Sequence, residues 1–197
     1  EIHFVYNLIG PGSVYESVND PFESSKSIIF SFNNLIKALI NNDMFPTFFQ
    51  TSSSEMFGDN DGKKLNEASN FFPNSPYASS KLYIHNLISF LRSKYDWKLT
   101  SGILFNHESE FRPDSYLMMK IINQAIEIKN NKADFLEVGS IDLERDWGFA
   151  GDHTRAMKMI LERSPGKDYV IGTGIGTSIA EMIELIFQYF NLEYKDF

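Results

Sequence analysis

Two stretches decide how this chain folds: Thr47-Phe-Phe-Gln-Thr-Ser-Ser-Ser-Glu-Met-Phe-Gly58 and Phe72-Pro-Asn-Ser-Pro-Tyr-Ala-Ser-Ser-Lys81. Thr47–Thr51 reads as a buried strand that runs into the serine cluster Ser52, Ser53 and Ser54. From Gly58 to Pro76 the chain is polar and punctuated by Asp, Asn, Gly and Pro, which predicts a surface loop. Pro76 then opens a helix to about Ser93, because proline is tolerated in a first helical turn. Outward from this unit the alternation repeats. Ile2–Leu8 is an apolar strand ending in a loop with Gly10, Pro11 and Gly12. A helix follows over Ile28–Ile40, with Ile28, Phe32, Leu35, Ile36 and Leu39 at helical spacing. Downstream, Lys98–Phe105 reads as a strand, Ser115–Lys129 as a helix and Phe135–Val138 as a strand. A helix from about Asp152 to Glu162 and a strand over Tyr169–Ile171 follow. A last helix, Ser178–Phe190, opens with Ser178 and Glu181 in capping-box spacing. Strands alternating with helices predict an α/β fold on a doubly wound parallel sheet.

The chain has 197 residues, 43% hydrophobic and 22% charged, which is globular rather than disordered composition. Its length suits one generous domain or one and a half ordinary ones. No apolar run approaches the roughly 18 residues of a membrane span, and the start at Glu1 lacks a signal-peptide pattern. With 18 Lys and Arg against 26 acids the net charge is -8, which disfavours nucleic acid as a partner. Cysteine is absent, which excludes disulfides, thiolate metal sites and cysteine nucleophiles. The four histidines, His3, His85, His107 and His153, are too scattered to suggest a metal. The expectation is a cytoplasmic protein without metal, membrane or nucleic-acid partner.

Chemistry concentrates at Ser53, Glu55, Tyr77 and Lys81. Tyr77 and Lys81 are four apart at a helix start and share one face. An ammonium near a phenol favours the phenolate, giving a group that can move a proton at a hydroxyl. Ser53, at the carboxyl end of a strand, lies where open α/β sheets bind ligands. Glu55 adds a carboxylate able to take a carbon-bound proton next to a carbonyl. A Tyr-x-x-x-Lys pair alone recurs by chance; the upstream serine and the Ser-Pro-Tyr entry single this one out. The run Gly172-Thr-Gly174-Ile-Gly176 reads as a plain strand-to-helix turn, since its third glycine is misplaced for a dinucleotide fingerprint.

The two opening stretches, with Gly102-Ile-Leu-Phe-Asn-His-Glu-Ser109 and Arg145-Asp-Trp-Gly-Phe-Ala-Gly-Asp152, resemble the extended short-chain dehydrogenase/reductases that act on nucleotide sugars. The likeness runs from about Ile2 to about Phe190 and is greatest to the GDP-mannose 4,6-dehydratase branch of that epimerase/dehydratase family. The Ser-x-Glu element is shared with other branches, including hexuronate decarboxylases; the second pair of stretches is the more specific. The resemblance implies a Rossmann-like, NADP-binding domain with the catalytic residues over 1–110. It implies a mixed region over 111–197 that includes part of a nucleotide-sugar-binding domain. It makes Ser53 a member of the catalytic triad, Glu55 the acid/base at sugar C5, and Tyr77 the base at the 4-hydroxyl. Lys81 would hold the nicotinamide ribose and tune Tyr77. It also places Leu8, Gly10, Tyr77, Lys81, His107 and Arg112 at the cofactor, and Ser54, Glu55 and Asn106 at the substrate. NADP is the implied cofactor, with NAD as the alternative. GDP-mannose is the implied substrate, and the full-length protein a homo-oligomer. The implied reaction forms GDP-4-keto-6-deoxymannose by an internal hydride shift. Outside the motif, His107 reads as a histidine packed after a strand.

Departures from the pattern are clear. Ile9-Gly10-Pro11-Gly12-Ser13-Val14 replaces the family's Ala-Gln-Ser-His-Val, and Ser31-Phe32 replaces a Gly-Thr where the cofactor is closely approached. Glu110-Phe111-Arg112-Pro113 loses one basic residue. The family's N-terminal glycine fingerprint and C-terminal tail have no counterpart, so the expectation is a piece of a longer chain. Two rival readings remain open here: another nucleotide-sugar activity (4-epimerase, decarboxylase or reductase), or a non-catalytic remnant.

Overall fold

The computed structural model describes residues 1–10, 12, 14–59 and 62–197. In chain order the elements are β1 (Phe4–Asn7), α1 (Val14–Asn19), α2 (Pro21–Asn41), β2 (Thr47–Ser53), α3 (Pro76–Tyr95), β3 (Leu99–Leu104), β4 (Asn106–Glu108), α4 (Leu117–Lys129), β5 (Glu144–Phe149), α5 (Ala150–Arg163), β6 (Asp168–Ile171), β7 (Gly176–Ser178) and α6 (Ile179–Tyr189). They form two compact units, Glu1–Phe105 with Asp152–Ile171, and Asn106–Gly151 with Gly172–Phe197.

The first unit is built on a parallel sheet ordered β1-β2-β3-β6. Side chains alternate along β2, so Phe48 enters the core formed by α2 and α3 on one face. Phe49 enters the core with Met157 and Leu161 of α5 on the other. Burial on both faces explains why the two phenylalanines stand next to each other rather than alternating with polar residues. Each fully buried phenylalanine contributes about 1.5–3 kcal/mol. Gly102 of β3 makes room for the Phe49 ring, because a Cβ there would collide with it. The expected helix over 28–40 begins earlier: Pro21 occupies the first turn of α2 and the Asp20 carboxylate accepts the Glu23 N–H at 3.1 Å. Helix α3 starts at Pro76 as expected, where Ser75 Oγ accepts the Ala78 N–H at 3.1 Å. Its buried stripe includes Tyr77, Lys81, Ile84, His85 and Ile88.

The second unit holds a three-stranded sheet ordered β4-β5-β7, with β5 parallel to β4 and antiparallel to β7. Ile121, Ala125 and Ile128 of α4 pack with Ile179, Met182, Ile183 and Phe187 of α6. The Ser178–Glu181 capping box is present, with Ser178 Oγ accepting the Glu181 N–H at 3.1 Å and Glu181 Oε2 accepting the Ser178 N–H at 2.7 Å. That pairing holds the Glu181 carboxyl below its ordinary pKa.

Several expectations are revised. Phe135–Val138 is not a strand; Leu136 and Val138 pack on the α4–α6 core from an irregular segment. The strand of that region is Glu144–Phe149, whose polar opening gives no apolar run. The glycine run 172–176 leads into β7 before α6 begins. A single cut between residues 110 and 111 does not describe the units, because α5 and β6 return the chain to the first unit after β5. Phe32 faces inward, 1% exposed and edge-on to Phe48, rather than lining an open approach.

Candidate active site

The residues singled out by sequence divide between the two units. Ser53, Ser54, Glu55, Tyr77, Lys81, Leu8 and Gly10 belong to the first, and Asn106, His107 and Arg112 to the second. Pro11 and Ser13 of the loop after β1 lie outside the described residues.

In the first unit, β2 ends at Ser53 and the chain tightens into a 3-10 turn over Ser54–Phe57. Ser53 Oγ caps that turn by accepting the Glu55 N–H at 3.2 Å, which fixes the serine and the carboxylate-bearing residue in one local frame. Gly58 closes the turn at φ 63°, and a Cβ there would overlap the main-chain oxygen of Phe72. On the facing helix, the Tyr77 N–H donates to Ser17 Oγ at 3.2 Å, and Ser17 Oγ donates to Val14 O at 2.7 Å. The mouth of α3 is thereby tied to α1.

Lys81 lies one turn deeper and is 5% exposed. Its Nζ donates to the main-chain oxygen of Thr51 at 3.1 Å and stands 5.6 Å from the centre of the Tyr77 ring. Burial pushes the ammonium down to about 8, because the low-dielectric interior penalises the charged form. A lysine so placed presents positive charge to the Tyr77 phenol near neutral pH, and loses it just above. The i,i+4 spacing puts the two side chains on one face as expected.

The turn that follows β1 is set by Asn7, whose Oδ1 accepts the Ile9 N–H at 3.3 Å. Leu8 and Ile9 are exposed there, and Gly10 adopts φ 118°, a conformation that suits glycine.

In the second unit, Asn106 and His107 are the first residues of β4, in register with Trp147 and Gly148 of β5. Arg112 turns back onto its own segment: Nε is 3.2 Å from Glu108 Oε2, and the guanidinium lies 3.7 Å from the Tyr116 ring centre. Burial raises the Glu108 carboxyl above its ordinary pKa, and Arg112 opposes that rise. The Asp146 carboxylate accepts the N–H groups of Thr173 at 2.9 Å and Gly174 at 2.7 Å, and the Thr173 hydroxyl at 2.9 Å. Amides that a phosphate would need are thus engaged by a carboxylate, which agrees with a structural turn. No group of three or more His, Cys, Asp or Glu suited to a metal occurs among the described residues. No helix among them is long and apolar enough to cross a membrane.

Sequence reasoning missed Asn7 and Gln50, two buried amides in register where β1 ends beside the middle of β2. For Asn7 the available signal was a polar amide closing the apolar run of β1.

Residues 1–196 match the family model described as GDP-mannose 4,6 dehydratase. The GDP-mannose 4,6-dehydratase of Sinorhizobium fredii (strain HH103) is 32% identical over 188 residues, covering 94% of this chain and 54% of the relative. GDP-mannose 4,6 dehydratase 2 of Arabidopsis thaliana is 34% identical over 197 residues, covering 98% and 52%. Among solved structures, RMD from Pseudomonas aeruginosa complexed with NADPH matches with a TM-score of 0.91 at 28% identity, over 96% of this chain and 66% of that one. The chain spans about half the length of the curated relatives it matches.

Proposed function

The chain belongs to the GDP-mannose 4,6 dehydratase family, and from that premise we propose that it carries the catalytic part of an NADP-dependent dehydratase acting on GDP-mannose. The observation that carries this reading is the buried Lys81 ammonium, held by Thr51 O beside the Tyr77 ring at the carboxyl end of β2. The residues present fit a pyridine nucleotide. An ammonium has three donors and Thr51 O engages one, which leaves donors suited to ribose hydroxyls. The exposed Leu8–Gly10 turn gives the cofactor a surface to run along. NADP is favoured over NAD because the similar RMD structure is described with NADPH.

A nicotinamide held by Lys81 and the Leu8–Gly10 turn would supply a reversible hydride acceptor, so that hydride leaving sugar C4 could return at C6 and the net reaction would be loss of water. Tyr77 accepts the 4-hydroxyl proton, with Ser53 sharing that proton and Lys81 favouring the phenolate. The 4-keto group acidifies the C5–H bond, and Glu55 removes that proton. The same proton is then available to the departing 6-hydroxyl, and the proton held by Tyr77 is available to C5 as hydride adds at C6. Asn106 and Ser54 would contact the nucleotide sugar, and His107 and Arg112 the cofactor.

The test uses the full-length protein with GDP-mannose and NADP. The 4-keto-6-deoxy product is expected, and Tyr77→Phe should lower turnover by about 10²–10⁴-fold while leaving the fold unchanged. Near-normal turnover in that variant would overturn the assignment, and a 4-epimer in place of the keto sugar would overturn the reaction.

A further inference from the structure

Lys81 shares its anchor. Thr51 O accepts a second hydrogen bond, from Gln50 Nε2 at 2.9 Å, beside the one from Lys81 Nζ at 3.1 Å. The other end of the Gln50 amide accepts from Asn7 Nδ2 at 2.6 Å, and Asn7 Oδ1 accepts the Ile9 N–H at 3.3 Å. Thr51 Oγ1 donates back to Asn7 O at 3.1 Å. Gln50 is 1% exposed and Asn7 3% exposed. Two primary amides this deep are costly unless their donors and acceptors are engaged. Their hydrogen bonds run in one direction, from the turn after β1 to the oxygen that holds Lys81.

From this chain we infer that Asn7 and Gln50 are positioning residues that fix the direction of the Lys81 ammonium. A carbonyl oxygen has two lone pairs. Gln50 takes one, which leaves Lys81 a single direction of approach, and Asn7 fixes the amide that does so. Without Gln50 the second lone pair is open and the ammonium is free to swing between two positions. The inference rests on Lys81 acting at the cofactor as proposed above.

The test measures NADP affinity of the full-length protein by calorimetry for Gln50→Met, Lys81→Met and the double variant. Each single variant should weaken binding by about tenfold, within the coupling expected inside one hydrogen-bond network. In the Lys81→Met background, Gln50→Met should add nothing, because it acts through the ammonium. Additive losses, or no loss from Gln50→Met when Lys81→Met does weaken binding, would overturn the inference and leave the proposed function standing. Unchanged affinity and turnover in Lys81→Met would overturn both. Gln50→Glu guards against a misfolded methionine variant, since it keeps the shape and still accepts from Asn7. It sets a carboxylate near Nζ, so the alkaline limb of NADP binding should move to higher pH by about half a unit or more. An unmoved limb would also overturn the inference.

Discussion

Nδ1 of His85 lies 2.8 Å from the Ser101 hydroxyl, which lies 2.8 Å from that of Ser52. Helix α3 is therefore moored twice to the sheet that carries Ser53: through Lys81 on Thr51 and through His85 on Ser101. Tyr77, Lys81 and His85 follow one another at four-residue steps, so the mooring face is also the face that carries the candidate chemistry.

The histidine should make the fold acid-sensitive. Burial lowers the His85 pKa; Asp168, 3.7 Å from Nε2, raises it, and Arg92, paired with Asp168 at 2.7 Å, lowers it again. The unfolded chain thus binds this proton more readily than the folded one. Stability is fully present above the ordinary histidine value of about 6.5 and falls as pH drops below it. Denaturant unfolding at pH 5.5 and 7.5 should show a loss in the parent that is smaller in His85→Gln. An equal loss in both would assign the acid sensitivity to other groups.

Lys81 works in the same sense across a higher window. Between about 8 and the ordinary 10.5 the unfolded chain holds a proton that the folded chain has shed, so this residue favours folding more as pH rises. Below that window both states are protonated, and the shift corresponds to roughly 3 kcal/mol of burial cost. Lys81→Met should therefore raise stability at pH 7 by about 1–3 kcal/mol, since Gln50 still satisfies Thr51 O. It should abolish turnover at the same time. The stability gain should shrink above pH 8; a gain independent of pH would place its origin in packing.

The parallel sheet was legible in sequence because its central strands carry adjacent apolar residues, Phe48-Phe49 in β2 and Ile103-Leu104 in β3, which need burial on both faces. The small sheet was not. Asn106–Glu108, Glu144–Phe149 and Gly176–Ser178 are short and largely polar, and pairing between distant segments, rather than local preference, makes them strands. Phe135–Val138 failed in the other direction: its apolar residues serve a helix-lined core from an irregular backbone. At the site, helical spacing was enough to pair Tyr77 with Lys81. No spacing rule joins Asn7 to Gln50 across 43 residues, so the amide chain behind Lys81 emerges only once β1 and β2 lie side by side.

Gly102 tests the core behind the site. The Phe49 ring occupies the space its Cβ would need, and Phe49 is fully buried. Gly102→Ala should destabilise by about 1–3 kcal/mol, the usual range for overpacking. Phe49→Leu in the same chain should recover part of that loss, because the smaller side chain vacates the contact. Additive losses in the double variant would show that the clash is relieved elsewhere.

Glu55 separates the dehydratase from the other nucleotide-sugar activities. Ser53 Oγ holds its backbone N–H in the 3-10 turn, so Glu55→Gln changes the carboxylate without changing that hydrogen bond. Oxidation at C4 needs Tyr77 and Lys81 but not a base at C5. In full-length Glu55→Gln mixed with NADP and GDP-mannose, reduced nicotinamide absorbance should therefore build up on the protein. The 4-keto-6-deoxy product should form at least about 10²-fold more slowly than in the parent. A 4-epimerase or a reductase has no C5 proton to remove, and its turnover would survive the substitution. Unimpaired turnover in Glu55→Gln would accordingly sink the dehydratase reading while leaving Tyr77 and Lys81 as the proton-transfer pair.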